Sequence, residues 1–406
     1  MWDKLFDRML RGMLKHGTLN VTLPDDSKFT YGDGADPSVS VTITSEEVIR
    51  QFFRDPELAV GEAYMDGTLI IENDDLEGFL TLAMSNLEGK RLPVLSERVM
   101  PWISAAYKRM QQYNPIGKAQ SNVAHHYDLS GDLYDLFLDS DRQYSCAYFR
   151  DPDNSLEQAQ IDKKDHIARK LLIEPGMRVL DIGCGWGGMG MTLAKDYGAK
   201  VVGVTLSKEQ HAVATNRAKT AGLSDQVDFR LTDYRNLTEN FDRIVSVGMF
   251  EHVGVPHYRE FFRHVHDMLT PDGVALIHTI GRPLPPSSTS TWLAKYIFPG
   301  GYTPAMSEVT RAIERERLTT TDVEVWRLHY AETLRHWHER FMANRAKAVA
   351  LYDERFCRMW RYYLIACELT FRLNNQVVFQ LQLTRDQAAV PLTRNYLYPN
   401  EASHPA

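Results

Sequence analysis

Trp2, Leu5, Phe6, Met9, Leu10, Met13 and Leu14 recur at spacings of three and four, with Asp3, Lys4, Asp7, Arg8, Arg11 and Lys15 on the other side. That period predicts a helix with one apolar stripe. Such a stripe either packs on its own domain, as surface helices generally do, or lies in a membrane interface. Residues 19–23 and 39–44 then alternate as short strands around the turn Gly32-Asp33-Gly34. Ser45-Glu46-Glu47 opens a further helix, and mixed helix continues to about Met110. The reading is a small α/β domain over residues 1–110 with no catalytic constellation of its own. Residues 111–121, containing Asn114-Pro115-Ile116-Gly117, read as a linker.

From Asn122 the pattern changes. Ser155 with Gln158 forms a capping box that opens a helix running to about Leu172. Strand-like runs follow at 178–182, 200–204, 227–231, 243–247 and 274–280, separated mostly by helical stretches such as 207–221 and 258–269. This alternation predicts a mainly parallel sheet with helices on both faces. Two long helices, near 331–351 and 353–372, and a strand near 377–383 complete a domain of residues 122–390, followed by a tail at 391–406. Residues 281–310 are too long for a plain connection and carry Trp292, Tyr296, Phe298 and Tyr302 among glycines and prolines, the composition of a lid.

Length and composition narrow the class. The chain has 406 residues, enough for two domains, and its 44% hydrophobic and 24% charged residues suit a globular protein. A net charge of −7 argues against a nucleic-acid binder working by bulk positive charge, while leaving room for a local basic face. The late helices carry Arg335, Arg340, Arg345, Lys347, Arg355, Arg358 and Arg361, which either meet anionic head groups or pair with Glu332, Glu339 and Glu354. Cys146, Cys184, Cys357 and Cys367 show neither a CxxC pair nor zinc spacing, so no metal site is expected and the thiols suit a reducing cytoplasm. The charged N-terminus lacks a signal core, and no run approaches the roughly 18–20 apolar residues that span a bilayer.

Residues 179–188 are the sharpest local signal: the apolar run Val179-Leu180-Asp181-Ile182 leads into Gly183-Cys184-Gly185-Trp186-Gly187-Gly188 before a helix. Gly183, Gly185 and Gly188 satisfy GxGxxG, so a nicotinamide dinucleotide must be considered. Two details favour S-adenosylmethionine. Asp181 precedes the first glycine, where methyltransferases commonly place an acid that organises the loop. The second strand ends Val204-Thr205-Leu206-Ser207, without the acid a nicotinamide site uses on its ribose. Many methyltransferases also carry an acid there, so this chain departs from their pattern too; Thr205, Ser207 and Gln210 are polar substitutes. Ser207-x-x-Gln210 is equally a capping box. Asp233 and Tyr234 follow the third strand, where adenine recognition is expected.

Several further strings occur in order: Ala124-His125-His126-Tyr127-Asp128, Gln143-Tyr144-Ser145-Cys146-Ala147-Tyr148-Phe149, Gly248-Met249-Phe250-Glu251-His252-Val253-Gly254, His278-Thr279-Ile280-Gly281 and Tyr363-Leu364-Ile365-Ala366-Cys367. With the glycine loop, the chain strongly resembles the cyclopropane-fatty-acyl-phospholipid synthases, with the mycolic-acid cyclopropane synthases as relatives. The resemblance covers about residues 122–384, and the small N-terminal domain looks like that of the bacterial phospholipid enzymes. It implies a class I S-adenosylmethionine-dependent methyltransferase fold, a Rossmann-like, seven-stranded, mainly parallel sheet. The implied reaction is methylene transfer from S-adenosylmethionine to a cis double bond of a membrane phospholipid acyl chain. The resulting carbocation then loses a methyl proton to a bound bicarbonate ion.

Carried over residue by residue, the resemblance places Cys146, Glu251, His278, Ile280 and Tyr330 around the bicarbonate. It places Tyr144, Ser145, Gly183, Gly185, Thr205, Ser207, Gln210, Asp233 and Tyr234 around the cofactor, beside Asp181. Phe149, Phe250 and Tyr302 are candidate aromatic faces for the cation. Cys367 matches a late active-site cysteine of the family, but its neighbours Leu364-Ile365-Ala366 offer no cation to lower a thiol pKa, so its helix reads better as a wall of the acyl tunnel. The resemblance further implies a homodimer, peripheral to the inner face of the cytoplasmic membrane, with the N-terminal domain docking on lipid or pairing protomers. The nearest rival is a relative that leaves a methyl- or methylene-branched chain; a non-catalytic lipid-binding protein is the rival from another class.

Overall fold

The computed structural model describes residues 2–87 and 130–398, with side chains from Leu5 onward. The expected helix beyond Leu87, the linker at 111–121, the His125-His126-Tyr127-Asp128 string and residues 399–406 of the tail lie outside the described residues. In chain order the first elements are α1 (Trp2–Met13), β1 (Thr18–Thr22), β2 (Lys28–Gly32), β3 (Ser38–Ile43), α2 (Glu46–Arg54), α3 (Pro56–Met65), β4 (Leu69–Ile71) and α4 (Leu76–Asn86). Next come α5 (Gly131–Tyr134), α6 (Leu156–Lys170), β5 (Arg178–Ile182), α7 (Gly188–Tyr197), β6 (Lys200–Thr205), α8 (Lys208–Thr220), β7 (Val227–Leu231), β8 (Phe241–Val247), α9 (Tyr258–Met268) and β9 (Leu269–Gly281). The chain continues through α10 (Thr291–Tyr296), α11 (Met306–Arg315), β10 (Thr319–Trp326), α12 (His329–Ala343), α13 (Arg345–Leu351), α14 (Glu354–Leu373) and β11 (Val377–Thr384).

These elements divide into two compact units. One is drawn from Met1–Met110, Ser288–Pro299 and Ala331–Gln376, the other from Gln111–Ser287, Gly300–Tyr330 and Val377–Ala406. Residues 122–390 therefore do not form a single unit: α10, α13, α14 and nearly all of α12 belong with the N-terminal segment. The reason is aromatic packing. Tyr362 of α14 meets Tyr64 of α3 at 6.0 Å and Trp292 of α10 at 4.6 Å, and Trp292 Nε1 donates to Met65 Sδ at 3.3 Å. Trp292 is thereby buried, so part of the expected lid is a packed helix.

In the first unit the sheet order is β2-β1-β3-β4, with β1 parallel to β3 and the other pairs antiparallel. The sequence pattern does not reveal β2, because only Tyr31 of its five residues is buried. Phe6, Leu10 and Leu14 of the N-terminal stripe are buried, and Phe6 meets Phe52 edge-on at 5.4 Å. This stripe packs on its own unit. Most of the late basic residues have intrachain partners: Arg335 donates to Glu332 at 2.9 Å and Glu339 at 2.6 Å, Arg355 to Asp66 at 2.7 Å, and Arg361 to Asp74 at 2.5 Å. Arg345 pairs with Glu354. Among the described residues, no helix is long and apolar enough to cross a membrane.

The second unit carries a seven-stranded sheet of order β10-β11-β9-β8-β5-β6-β7. β9, β8, β5, β6 and β7 run parallel, and β11 runs antiparallel to both its neighbours. This is the expected Rossmann-like sheet. Its central strands are buried on both faces, as a sheet covered by helices requires, whereas the edge strands β7 and β10 are half exposed. Leu180, Ile182, Ala275 and Ile277 join one core with Phe250, Phe261 and Phe262, while Val179, Val201, Val245 and Leu276 join a second core under α6 and α7. The chain leaves β5 through β6 and β7 and returns to β8 on the other side. That reversal opens a crevice at the carboxyl ends of β5 and β8, where ligands of such sheets bind.

Ser155 caps α6 by accepting the Gln158 N–H at 3.2 Å, but the Gln158 side chain turns to Asp162 at 3.0 Å, so only half of the capping box forms. Neither α11 nor β10 was evident from periodicity. β10 is an edge strand whose inward positions include Asp322 and Glu324, so its apolar-polar alternation is hidden.

Candidate active site

The glycine loop lies at the β5 crevice. Gly183 and Cys184 donate to Val204 O at 2.9 and 3.0 Å, tying the loop to β6. Gly183 has φ +82° and Gly185 φ +53°, backbone regions that favour glycine, and a Cβ placed on Gly185 would meet open space. Bare backbone there leaves room for a ligand. Beneath the loop Asp181 is buried; burial raises its pKa to about 7, against the Gly190 N–H and the charge of Lys163. Its Oδ2 has no hydrogen-bond partner. The acid thus organises the loop through Gly190 and keeps one oxygen for a donor or cation, which fits the ammonium of S-adenosylmethionine.

Thr205, Ser207 and Gln210 largely satisfy one another. Thr205 Oγ1 donates to Gln210 Oε1 at 3.0 Å, Ser207 N donates back to Thr205 Oγ1 at 3.2 Å, and Gln210 N donates to Ser207 Oγ at 3.2 Å. The N-cap is therefore real, although the Gln210 side chain faces Thr205 rather than closing the box. Asp233 is held by Arg235, whose Nε and Nη2 reach its two oxygens at 2.9 and 2.7 Å. The Tyr234 ring meets Phe261 at 5.6 Å.

Tyr144 and Ser145 sit on a segment clamped from α6. Lys163, fully buried, donates to Gln143 Oε1 at 2.9 Å and Ser145 Oγ at 2.8 Å. Gln160 Nε2 donates to Gln143 O at 3.2 Å and Ser145 O at 3.0 Å. Burial lowers the Lys163 pKa to about 8, opposed by the charges of Asp139 and Cys146. Tyr144 packs against Tyr134 at 5.2 Å, and Tyr134 against Trp186 of the glycine loop at 5.0 Å. Lys163 and Gln160 were not singled out in the sequence, although both fall on the helical stripe shared with Ala159 and Ile167.

The last β8–β9 pair joins Val247 to His278. Beyond it, the Ile280 N–H donates to Glu251 Oε1 at 2.6 Å, and Tyr302 N donates to Glu251 O at 3.0 Å. Burial raises Glu251 to about 7, against the Ile280 N–H and the Thr279 hydroxyl, and its Oε2 has no partner. His278 is buried beside Trp326, ring centres 5.0 Å apart, and burial with the charge of Lys163 holds it neutral, well below the ordinary histidine range. Trp326 also meets Tyr148 at 4.7 Å and His329 at 5.5 Å, and His329 Nδ1 accepts the Phe149 N–H at 3.1 Å. Cys146 is buried, and Tyr330 follows His329 at the start of α12. A neutral imidazole donor and a carboxylate acceptor with one spare oxygen fit a small oxyanion bearing one hydroxyl, as bicarbonate does.

One expectation changes. Phe250 is sealed in the core, stacked on Tyr258 at 4.4 Å and edge-on to Phe261 at 5.1 Å, so it offers no open face. Cys367 lies on α14 in the other unit, and burial pushes its half-buried thiol up to about 12, leaving it a poor nucleophile.

Residues 116–381 match the family described as mycolic acid cyclopropane synthetase, and residues 2–89 match a domain of unknown function. The chain is 35% identical over 395 residues to the probable fatty acid methyltransferase of Pseudomonas putida, covering 94% of this chain and 97% of the relative. It is 37% identical over 377 residues to the cyclopropane-fatty-acyl-phospholipid synthase of Escherichia coli strain K12, covering 90% and 95%. Among solved structures, the mycolic acid cyclopropane synthase CmaA1 complexed with SAH and CTAB aligns with a TM-score of 0.62 at 36% identity, over 67% of this chain and 99% of that one.

Proposed function

The chain belongs to the mycolic acid cyclopropane synthetase family, and from that premise we propose that it converts a cis double bond of a phospholipid acyl chain into a cyclopropane ring, with bound bicarbonate as the base. Its enzyme class is S-adenosylmethionine-dependent methylene transfer to fatty acyl chains. When bound, S-adenosylmethionine supplies an electrophilic sulfonium methyl and bicarbonate an acceptor for the proton lost on ring closure. Gly185 admits the cofactor to bare backbone, Gly183 lets the loop pack against Met249, Asp181 orients the cofactor, and the Lys163 clamp holds Tyr144 and Ser145 beside the loop. The cradle is Cys146, Glu251, His278, the Ile280 backbone and Tyr330.

Glu251 carries this reading. Its buried carboxyl has one oxygen fixed by Ile280 N–H and the other unpartnered, so once ionised it can take the hydrogen bond of a bicarbonate hydroxyl and keep the remaining oxygens basic. The proposal extends to a homodimer acting at the inner face of the cytoplasmic membrane, where such phospholipids lie. A second reading, a methyl- or methylene-branched product, is favoured by the name of the Pseudomonas putida relative. Incubation with methyl-labelled S-adenosylmethionine and vesicles of cis-unsaturated phospholipid, followed by NMR of the acyl chains, separates the two. Upfield ring-methylene protons are expected; olefinic or branched-methyl signals would establish the second reading.

Asp181→Asn is expected to weaken S-adenosylmethionine binding about 10–100-fold, the effect of losing a hydrogen bond to a charged group. Calorimetric titration of the cofactor alone reads this, and unchanged affinity would remove Asp181 from the site.

A further inference from the structure

We infer that Gln380 is a positioning residue that fixes the tautomer of His278, keeping the ring proton on Nε2 so that the imidazole donates toward the anion cradle. The functional meaning rests on the reading above; the tautomer does not. Gln380 and His278 are directly opposite in the β11–β9 pairing, and both are buried. Gln380 Nε2 lies 3.1 Å from His278 Nδ1. An amide nitrogen only donates, so Nδ1 must accept, and a neutral ring then carries its proton on Nε2. Burial and the positive charges of Lys163 and Lys170 keep the ring neutral.

The amide orientation follows from what each alternative strands. As placed, Gln380 leaves one buried acceptor, Oε1, without a partner. That orientation engages one of the two buried amide hydrogens; turned over, Oε1 would accept from Nδ1–H and both hydrogens would be left without an acceptor, and buried N–H donors are left orphaned less often than carbonyl oxygens. The turned amide would also leave Nε2 an acceptor, repelling an anion. Trp326, edge-on to His278 at 5.0 Å, restrains the ring, so tautomer rather than rotation is the variable Gln380 controls.

The test is ¹⁵N NMR of the full chain labelled at histidine, with His278 assigned by difference from His278→Gln. The wild type is expected to show an unprotonated Nδ1 and a protonated Nε2 at this residue. In Gln380→Glu, whose carboxylate accepts from Nδ1–H, the proton is expected on Nδ1, with the bicarbonate KM raised about tenfold or more and the S-adenosylmethionine KM unchanged. A wild-type Nδ1 that is protonated, or a Gln380→Glu spectrum identical to wild type, would overturn the inference. The expected spectra with no dependence of turnover on bicarbonate would uphold the tautomer assignment and refute the bicarbonate reading instead.

Discussion

Glu251→Gln is expected to lower turnover about 10²–10⁴-fold, the range for losing a proton-transfer group, while leaving S-adenosylmethionine affinity unchanged. Glutamine is nearly isosteric, and its carbonyl oxygen can still accept the Ile280 N–H that Glu251 accepts at 2.6 Å. The loss falls on the other atom: Oε2, unpartnered and able to accept, becomes an NH2 that only donates. Stability moves in the opposite direction. Burial holds the Glu251 pKa at about 7, above its ordinary 4.5. The folded chain therefore keeps a proton that the unfolded chain releases between these values, and stability falls as pH rises through that window. At pH 8 the carboxylate is ionised at a cost of roughly 3 kcal/mol, from 1.36 kcal/mol per pKa unit. Glu251→Gln removes that cost, so it should melt higher than wild type at pH 8 and lose this advantage at pH 4. Wild-type kcat should rise with pH through about 7, and the variant should lack that limb. Normal turnover in a well-folded Glu251→Gln would remove Glu251 from the cradle.

The glycine loop and the five parallel strands were legible because each is written locally, as a run of glycines and as short apolar runs, whereas the cradle residues came from the resemblance alone. What was hidden depends on which residues end up inside. Periodicity gives α6 a buried stripe, yet that stripe is occupied by Gln160, Lys163 and Lys170 as well as Ala159 and Ile167. Two lysines at core positions of one helix are a signal in themselves, since a buried cation persists only where acceptors meet it. The same holds for β11, where Gln380 and Gln382 interrupt an apolar strand buried along its whole length. Gln382 Nε2 donates to Lys170 O at 2.6 Å, so both glutamines serve groups far away in sequence. The grouping of α14 with α3 was not legible at all, because an aromatic face on a late helix does not name its partner. Cys367 was matched by motif on that same helix, where its apolar neighbours argued against a nucleophile, and burial pushes its thiol up to about 12.

The largest expected change in stability comes from Lys170→Met, a loss of about 3–5 kcal/mol, the cost of removing one partner from a buried ionic cluster. Lys170 is 1% exposed and pairs with Glu324, with Asp322 3.7 Å away. His166 Nε2 meets Glu324 at 2.7 Å, and Arg394 pairs with Asp322. Asp322, Glu324 and Trp326 alternate along the inward face of β10, so the cluster that ties this edge strand to α6 also seats the tryptophan packed on His278. Without the ammonium, the two carboxylates are left with Arg394 and the His166 ring, and the strand should shift. Lys170→Met combined with Glu324→Gln and Asp322→Asn should recover part of the loss, because the uncompensated charge, rather than the missing attraction, carries most of the cost. The pH dependence has a definite sign. Against the penalty of burial, His166 and Lys170 hold Glu324 well below the ordinary carboxylate range. That contribution is present above about pH 4.5 and is lost as pH falls toward the depressed value. The deficit of Lys170→Met should therefore be largest near pH 7, about 6–20 °C in Tm, and should shrink in acid. Equal melting of variant and wild type at pH 7 would show that the cluster contributes nothing net, whereas a lower Tm with unchanged kcat would show that it anchors β10 without governing the seat of His278.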